Sequence, residues 1–312
     1  MSDTRIFKIS GNSARELKGS SIALEKSLQT YIEQNLETML GIKFLASEYS
    51  TGKTHRGRID TLGIDENYSP VIIEYKRAIN ENVINQGLFY LDWLLDHKAE
   101  FKLKVMETID AKVANDIEWS NPRLICIAGD FTKYDVHAIQ QINRNIELLR
   151  YQKYEDDLLL LDLVSAINVE DASTLKGTVI KEIEEKQNNT KKGTGKTVIE
   201  YIEQSDKDVQ DRYEAVKAFI EALGDDVQSK ILKYYIAFKR IKNFACVEVH
   251  PQNKKILIYV KIDPDQIKIE EGFTRDVRTI GHFGTGDLEI TMRSYEDLEK
   301  AKNLIQQSYD AN

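Results

Sequence analysis

Apolar residues recur in a way that marks out elements before any chemistry is considered. Leu24, Leu28, Tyr31, Ile32, Leu36 and Met39 fall at the spacing of one helical face, and Gly41 follows as a stop signal. Residues 42–49 are extended and mixed, and a polar turn follows at 50–53. Residues 58–64 alternate as a half-buried strand does, Asp65-Glu66-Asn67 has hairpin-turn composition, and Pro70 leads into the β-branched run 71–76. A second helix is predicted from Val83, Ile84, Leu88, Leu91, Leu94 and Leu95. Arg123–Ala128 predicts a buried strand, 136–149 an amphipathic helix and 158–164 a further strand. The order α-β-β-β-α-β-α-β combines a hairpin with βαβ connections, which gives an α/β domain over 1–165: a mixed sheet flanked by helices.

The pattern changes after residue 165. Residues 181–196 read KEIEEKQNNTKKGTGK, polar and Gly/Lys-rich with no core periodicity, so 166–205 is read as a linker. Helices near 210–223 and 227–239, strands near 244–249, 255–262, 276–281 and 286–292, and a helix at 295–308 predict a smaller α+β domain over 206–312.

Composition narrows the function classes. With 41% hydrophobic and 30% charged residues the chain reads as globular, and no apolar run approaches the roughly 20 residues of a membrane span. No signal-peptide core follows Met1, so the expected location is the cytoplasm, with no membrane partner. The net charge of −8 divides as −5 over 1–165 and −3 over the rest, so neither half is a basic module. Cys126 and Cys246 each lie in an apolar strand run and read as buried reduced thiols, and no Cys or His spacing suggests zinc. Gly193-Thr194-Gly195-Lys196-Thr197 ends like a phosphate-binding loop, but Thr190 stands where that loop needs glycine. The run 281–286 (GHFGTG) reads first as a glycine-rich hairpin connection, with ligand or nucleic-acid contact as the alternative.

The informative stretch is Gly57-Arg58-Ile59-Asp60, followed after thirteen residues by Glu74-Tyr75-Lys76. Metal-assisted phosphodiester cleavage needs carboxylates converging from neighbouring strands and a cation near the attacking water. Hairpin pairing brings Asp60 beside Glu74, and Glu74 and Lys76, two apart on one strand, share a face. Tyr75 points the other way, and its carbonyl remains available as a ligand. Helical phase sets Glu25 on the flank of the first helix, as a third acidic group, and Glu33 and Glu37 away from its apolar face. Gln86 and Tyr90, four apart on the next helix, could hydrogen-bond a phosphate or a bound water. Arg56, Arg58 and Arg77 flank the carboxylates as candidate substrate contacts.

Together Arg58-Ile59-Asp60, the run 72–76 (IIEYK) and Gln86-x3-Tyr90 resemble the motifs of PD-(D/E)XK nucleases, in particular the nuclease domain of NucS-like mismatch endonucleases. Asn35-Leu36-Glu37 and the GRID segment belong to the shared pattern, which spans about residues 20–130. The resemblance implies a restriction-endonuclease-like fold and a Mg²⁺- or Mn²⁺-dependent endonuclease. Asp60, Glu74 and the Tyr75 carbonyl would be metal ligands, Lys76 would stabilise the attacking hydroxide, and Glu25 and Gln86 would support. The implied partner is nucleic acid, DNA ahead of RNA, in defence or repair. Residues 213–309 resemble a domain of unknown function found fused to such modules, in proteins sometimes labelled predicted transport proteins. That domain would supply partner binding, substrate choice or dimerisation to a homodimer. Two other readings stay open: a non-catalytic nucleic-acid- or protein-binding scaffold with the nuclease fold, and a ligand-sensing or oligomerisation protein.

Overall fold

A computed structural model describes residues 4–20, 25–52, 56–76, 83–155, 157–167 and 196–312. Leu24, Arg77 and residues 168–195 of the linker stretch lie outside the described residues. The chain divides into two compact units, 1–172 and 173–312.

The first unit is built on a seven-stranded mixed sheet. Its strands are β3 (Gly19–Ser20), β4 (Ile42–Ser50), β5 (Arg58–Asp65), β6 (Pro70–Lys76), β7 (Arg123–Ala128), β8 (Asn145–Tyr154) and β9 (Leu158–Ile167), in the order β3-β8-β7-β6-β5-β4, with β9 paired to β8. The β4-β5-β6 meander is antiparallel, whereas β6, β7 and β8 run parallel. Sequence explains the division. The β5–β6 link is a short turn in which Asp65 Oδ1 accepts from the amides of Asn67 (2.9 Å) and Ser69 (2.8 Å). The β6–β7 link is a crossover through α3 (Val83–Asp96), α4 (Lys98–Thr108) and α5 (Ala111–Asn115). With both faces covered, β6 and β7 are near-continuous apolar runs, buried along almost their whole length. The fold class expected from the sequence, an α/β mixed sheet flanked by helices, followed along the chain by a smaller α+β domain, is the one observed.

Several local expectations are corrected. A hairpin of β1 (Ile6–Ser10) and β2 (Ser13–Leu17) precedes the helical region. The first helix is two, α1 (Glu25–Gln34) and α2 (Leu36–Leu40). The break falls at Asn35, whose side-chain amide donates to the carbonyl of Tyr31 at 2.9 Å. Residues 136–149 are not one helix: α6 (Lys133–Gln140) starts at a Thr132/Asp135 capping box and stops before β8. Ile139, Ile142, Ile146 and Leu149 fall at helical spacing, yet Ile146, Leu148 and Leu149 are sandwiched in a strand between β7 and β9. A strand covered on both faces loses the alternation that would distinguish it.

At the end of β7 remote from the Glu74 side lies a charged core. The guanidinium of Arg123 donates to Asp65 Oδ2 (2.9 Å) and, through Nε and Nη2, to the two oxygens of Glu147 (2.8 and 2.9 Å). All three side chains are buried.

The second unit carries α7 (Val198–Gln204) and α8 (Lys207–Glu221), then β10 (Gln228–Ile231), β11 (Ile236–Lys239), β12 (Asn243–His250), β13 (Lys255–Val260), β14 (Thr274–Asp276) and β15 (Leu288–Met292), and closes with α9 (Tyr295–Ala311). The strands form an antiparallel sheet in the order β10-β11-β12-β13-β15-β14. Residues 227–239, expected to be helical, are the β10–β11 hairpin, in which Ile236 and Phe238 enter the core from one face. Residues 198–204, assigned to the linker from sequence, are helix α7, started by a Thr197/Glu200 capping box with Val198 buried in this core. Val209, Val216 and Ile220 of α8 and Leu298, Ala301 and Ile305 of α9 join the same core. Among the described residues no helix is long and apolar enough to cross a membrane.

Candidate active site

The β5–β6 register sets Thr61 opposite Ile73, which places Asp60 beside the Glu74-Tyr75 end of β6. The two carboxylates are locked reciprocally to backbone. The Asp60 amide donates to Glu74 Oε1 (3.1 Å), and the Tyr75 amide donates to Asp60 Oδ2 (3.0 Å). Glu74 is fully buried, and among the described residues its second oxygen, Oε2, has no hydrogen-bond partner. Burial, and then the charge of Asp60, push Glu74 up to about 9, against the opposing Asp60 amide and Lys76. Asp60 is also raised by burial, with the Tyr75 amide and Lys76 pulling the other way. Lys76 Nζ lies 3.7 Å from Glu25 Oε1. The structure thus brings Glu25, Asp60, Glu74 and Lys76 to one end of the hairpin.

An orphaned buried carboxylate oxygen beside a second carboxylate is costly without a cation to satisfy both. The donor set suits a hard divalent ion such as Mg²⁺ or Mn²⁺, which is commonly held by one or two carboxylates and completes its shell with water and phosphate oxygens. Among the described residues no three His, Cys, Asp or Glu side chains form a ready metal cage. Such an ion would therefore take its remaining oxygens from solvent, substrate or backbone, where the Tyr75 carbonyl was expected to contribute.

Helix α1 lays a polar stripe on this region. Gln29 Nε2 donates to the Asp60 carbonyl (2.7 Å) and to Glu33 (2.9 Å), and Thr61 Oγ1 donates to Glu33 (2.6 Å). Glu33 therefore faces the sheet, correcting its expected position. Tyr31 is exposed and α1 ends before Leu36, so an apolar face drawn through both was centred too far from Glu33. Gln29 was missed, although Glu25, Gln29 and Glu33 at i, i+4 and i+8 form one visible row. Tyr75 turns its ring away from Glu74, with its hydroxyl 3.3 Å from Thr61 Oγ1.

The remaining candidates sit around the rim. Gln86 Nε2 donates to Tyr90 Oη (3.3 Å), and Tyr90 Oη accepts from the Arg58 amide (3.2 Å), so the pair ties α3 to the start of β5. Gly57 permits that approach, because a Cβ there would stand 2.4 Å from Tyr90 Cε1. Gly57→Ala should cost roughly 1–3 kcal/mol by overpacking. In a thermal-denaturation cycle, Tyr90→Ala should absorb most of that cost. Arg58 is exposed and ion-paired with Glu48, which also takes Lys26 at 2.8 Å. Arg56 is exposed, with a positive φ of 50°. Arg77, the last candidate, is not among the described residues.

A family model described as a domain of unknown function (DUF5655) matches residues 198–312, in line with the resemblance read over 213–309. A solved structure titled "Structure of EndoMS-dsDNA2 complex" is 16% identical, covers 47% of this chain and 64% of its own, and superposes with a TM-score of 0.24. The match thus spans less than two thirds of that chain, and a likeness this slight bears on neither fold nor function. An "Uncharacterized protein" of Haemophilus influenzae is 30% identical over 313 residues, covering 97% of this chain and 99% of its own. By that full-length match the chain belongs to the same family as the Haemophilus influenzae protein.

Proposed function

We propose that the first unit is a Mg²⁺- or Mn²⁺-dependent endonuclease of the PD-(D/E)XK type acting on DNA. The observation that supports this reading is the Asp60–Glu74 pair with the unpartnered, buried Glu74 Oε2. Asp60 and Glu74 would hold the ion, which when bound supplies a Lewis acid and an activated water. The reciprocal amide bonds fix both carboxylates without rotamer freedom, and Gln29 fixes the Asp60 backbone from α1. Lys76 stands two residues beyond Glu74 on the same face, where its ammonium stabilises negative charge building on a phosphate or hydroxide. Glu25, at its other side, keeps it oriented.

The test is cleavage of plasmid, single-stranded DNA and RNA in Mg²⁺ and in Mn²⁺. The wild type should nick DNA, and Asp60→Asn and Lys76→Met should each lose on the order of 100-fold or more. A wild type that cuts none of these, or variants that cut as well as it does, would sink the reading. Calorimetry with Mn²⁺ separates the alternatives. Binding lost in Asp60→Asn supports a metal site, and no binding to the wild type favours a scaffold.

A further inference from the structure

The sheet of the second unit buries one face under helices, while its other face carries a smaller cluster formed by Leu232, Tyr235, Ala237, Cys246, Leu257, Tyr259 and Val277. The GHFGTG segment folds onto this second face. Gly284 (φ 76°) lies so close that a Cβ would stand 2.6 Å from Cys246 Cβ, and at Gly286 (φ 147°) a Cβ would stand 2.7 Å from the Val260 amide. Asn243 Nδ2 donates to Thr285 Oγ1 at 3.2 Å. The glycines are thus required by close approach to the sheet, and the approach fixes two rings. His282 stacks on Tyr259 (centroids 4.3 Å apart, 6° between planes), and Phe283 stacks on Tyr234 at 4.5 Å.

Beside that ring pair is a cavity of about 250 Å³, lined among others by Tyr201, Tyr234, Phe283, Glu248 and His250. Glu248 is about nine-tenths buried. Its Oε2 accepts from His250 Nε2 at 3.0 Å, whereas its Oε1 is buried with no hydrogen-bond partner among the described residues. Three aromatic rings around a carboxylate with one oxygen still lacking a donor make a site for a positively charged N–H group. Ring faces attract the cation, and the carboxylate accepts its protons. Tyr234 itself lies between Phe283 and Lys233, whose Nζ is 4.7 Å from its centroid.

We propose that this cavity binds the guanidinium or ammonium head of an organic cation, with Glu248 as the counter-charge and Tyr234 and Phe283 as the aromatic wall. The volume of about 250 Å³ admits a head group and a short stem. The proposal stands independently of the chemistry in the first unit.

Amide NMR titration of the full chain tests it, with N-acetyl-argininamide and N-acetyl-lysinamide as cationic probes and N-acetyl-citrullinamide as the neutral match. The expected result is saturable shifts around Tyr234, Glu248 and Phe283 with at least one cation and none with citrulline. Binding should weaken about ten-fold or more in Glu248→Gln. Phe283→Ala, at an exposed ring, should also weaken binding while the spectrum stays that of the folded chain. An acetylated Gly-Arg-Gly peptide that binds more tightly than the free amide would identify a protein side chain as the source. Equal binding would identify a small molecule. Absence of saturable shifts with both cations into the millimolar range, equal binding of citrulline, or an unchanged Glu248→Gln would overturn the proposal.

Discussion

Glu74→Gln should abolish metal-dependent cleavage and, in chelator, make the protein more stable. The two effects share one cause. Glu74 is held at about 9, against an ordinary value of 4.5, because it is buried beside Asp60. Below about pH 4.5 the group is protonated in both folded and unfolded chains and contributes no penalty. Between that pH and about 9 the unfolded chain gains by ionising and the native chain does not, so native stability falls as pH rises. Glutamine removes the titration and keeps an acceptor for the Asp60 amide. At pH 7 without metal the gain should be about 3 kcal/mol as an order of magnitude, or a rise in Tm of roughly 6–12 °C. Calorimetry in EDTA from pH 5 to 8 checks it: the gap between variant and wild type should widen with pH. Mn²⁺ should narrow the gap by stabilising the wild type alone. A variant less stable than wild type at pH 8 in EDTA would mean that the buried carboxylate is not strained and that the site is not built for a cation.

Arg123→Met should destabilise the first unit by about 3–5 kcal/mol, because it leaves the carboxylates of Asp65 and Glu147 buried without their cation. Urea denaturation followed by circular dichroism would show the lowered midpoint. Adding Glu147→Leu to Arg123→Met should recover part of the loss, since one of the stranded charges goes with it. Asp65 keeps a second role through Oδ1 in the β5–β6 turn, so recovery should be incomplete. Strictly additive losses would show that the two side chains do not act as a pair.

The site and the charged core differ in how they could be read. Asp60, Glu74 and Lys76 were legible because strand period and hairpin register are local rules: residues 58–64 alternate, a turn follows, and Glu74 and Lys76 are two apart. Arg123 and Glu147 were not legible. They meet because β7 and β8 are parallel neighbours, a pairing that spans a crossover and leaves no trace in residue spacing. The same holds for Gln29, whose partner is a carbonyl 31 positions away. Glu33 was misplaced because an unbroken helix was assumed through Asn35, and the helix phase beyond that residue belongs to a different axis.

Sequence alone determined the parts governed by short-range physics: the β5–β6 hairpin, the buried strand at 123–128, the helix at 83–96 and the choice of candidate carboxylates. Tertiary structure decided what depends on coverage and long-range pairing. Residues 145–154 and 228–239 are strands because neighbouring strands satisfy their backbone, although the apolar spacing of each also fits a helix. Only the fold shows that Glu74 Oε2 and Glu248 Oε1 are buried without a donor among the described residues. Burial is a property of everything packed around an atom, and no local pattern encodes it.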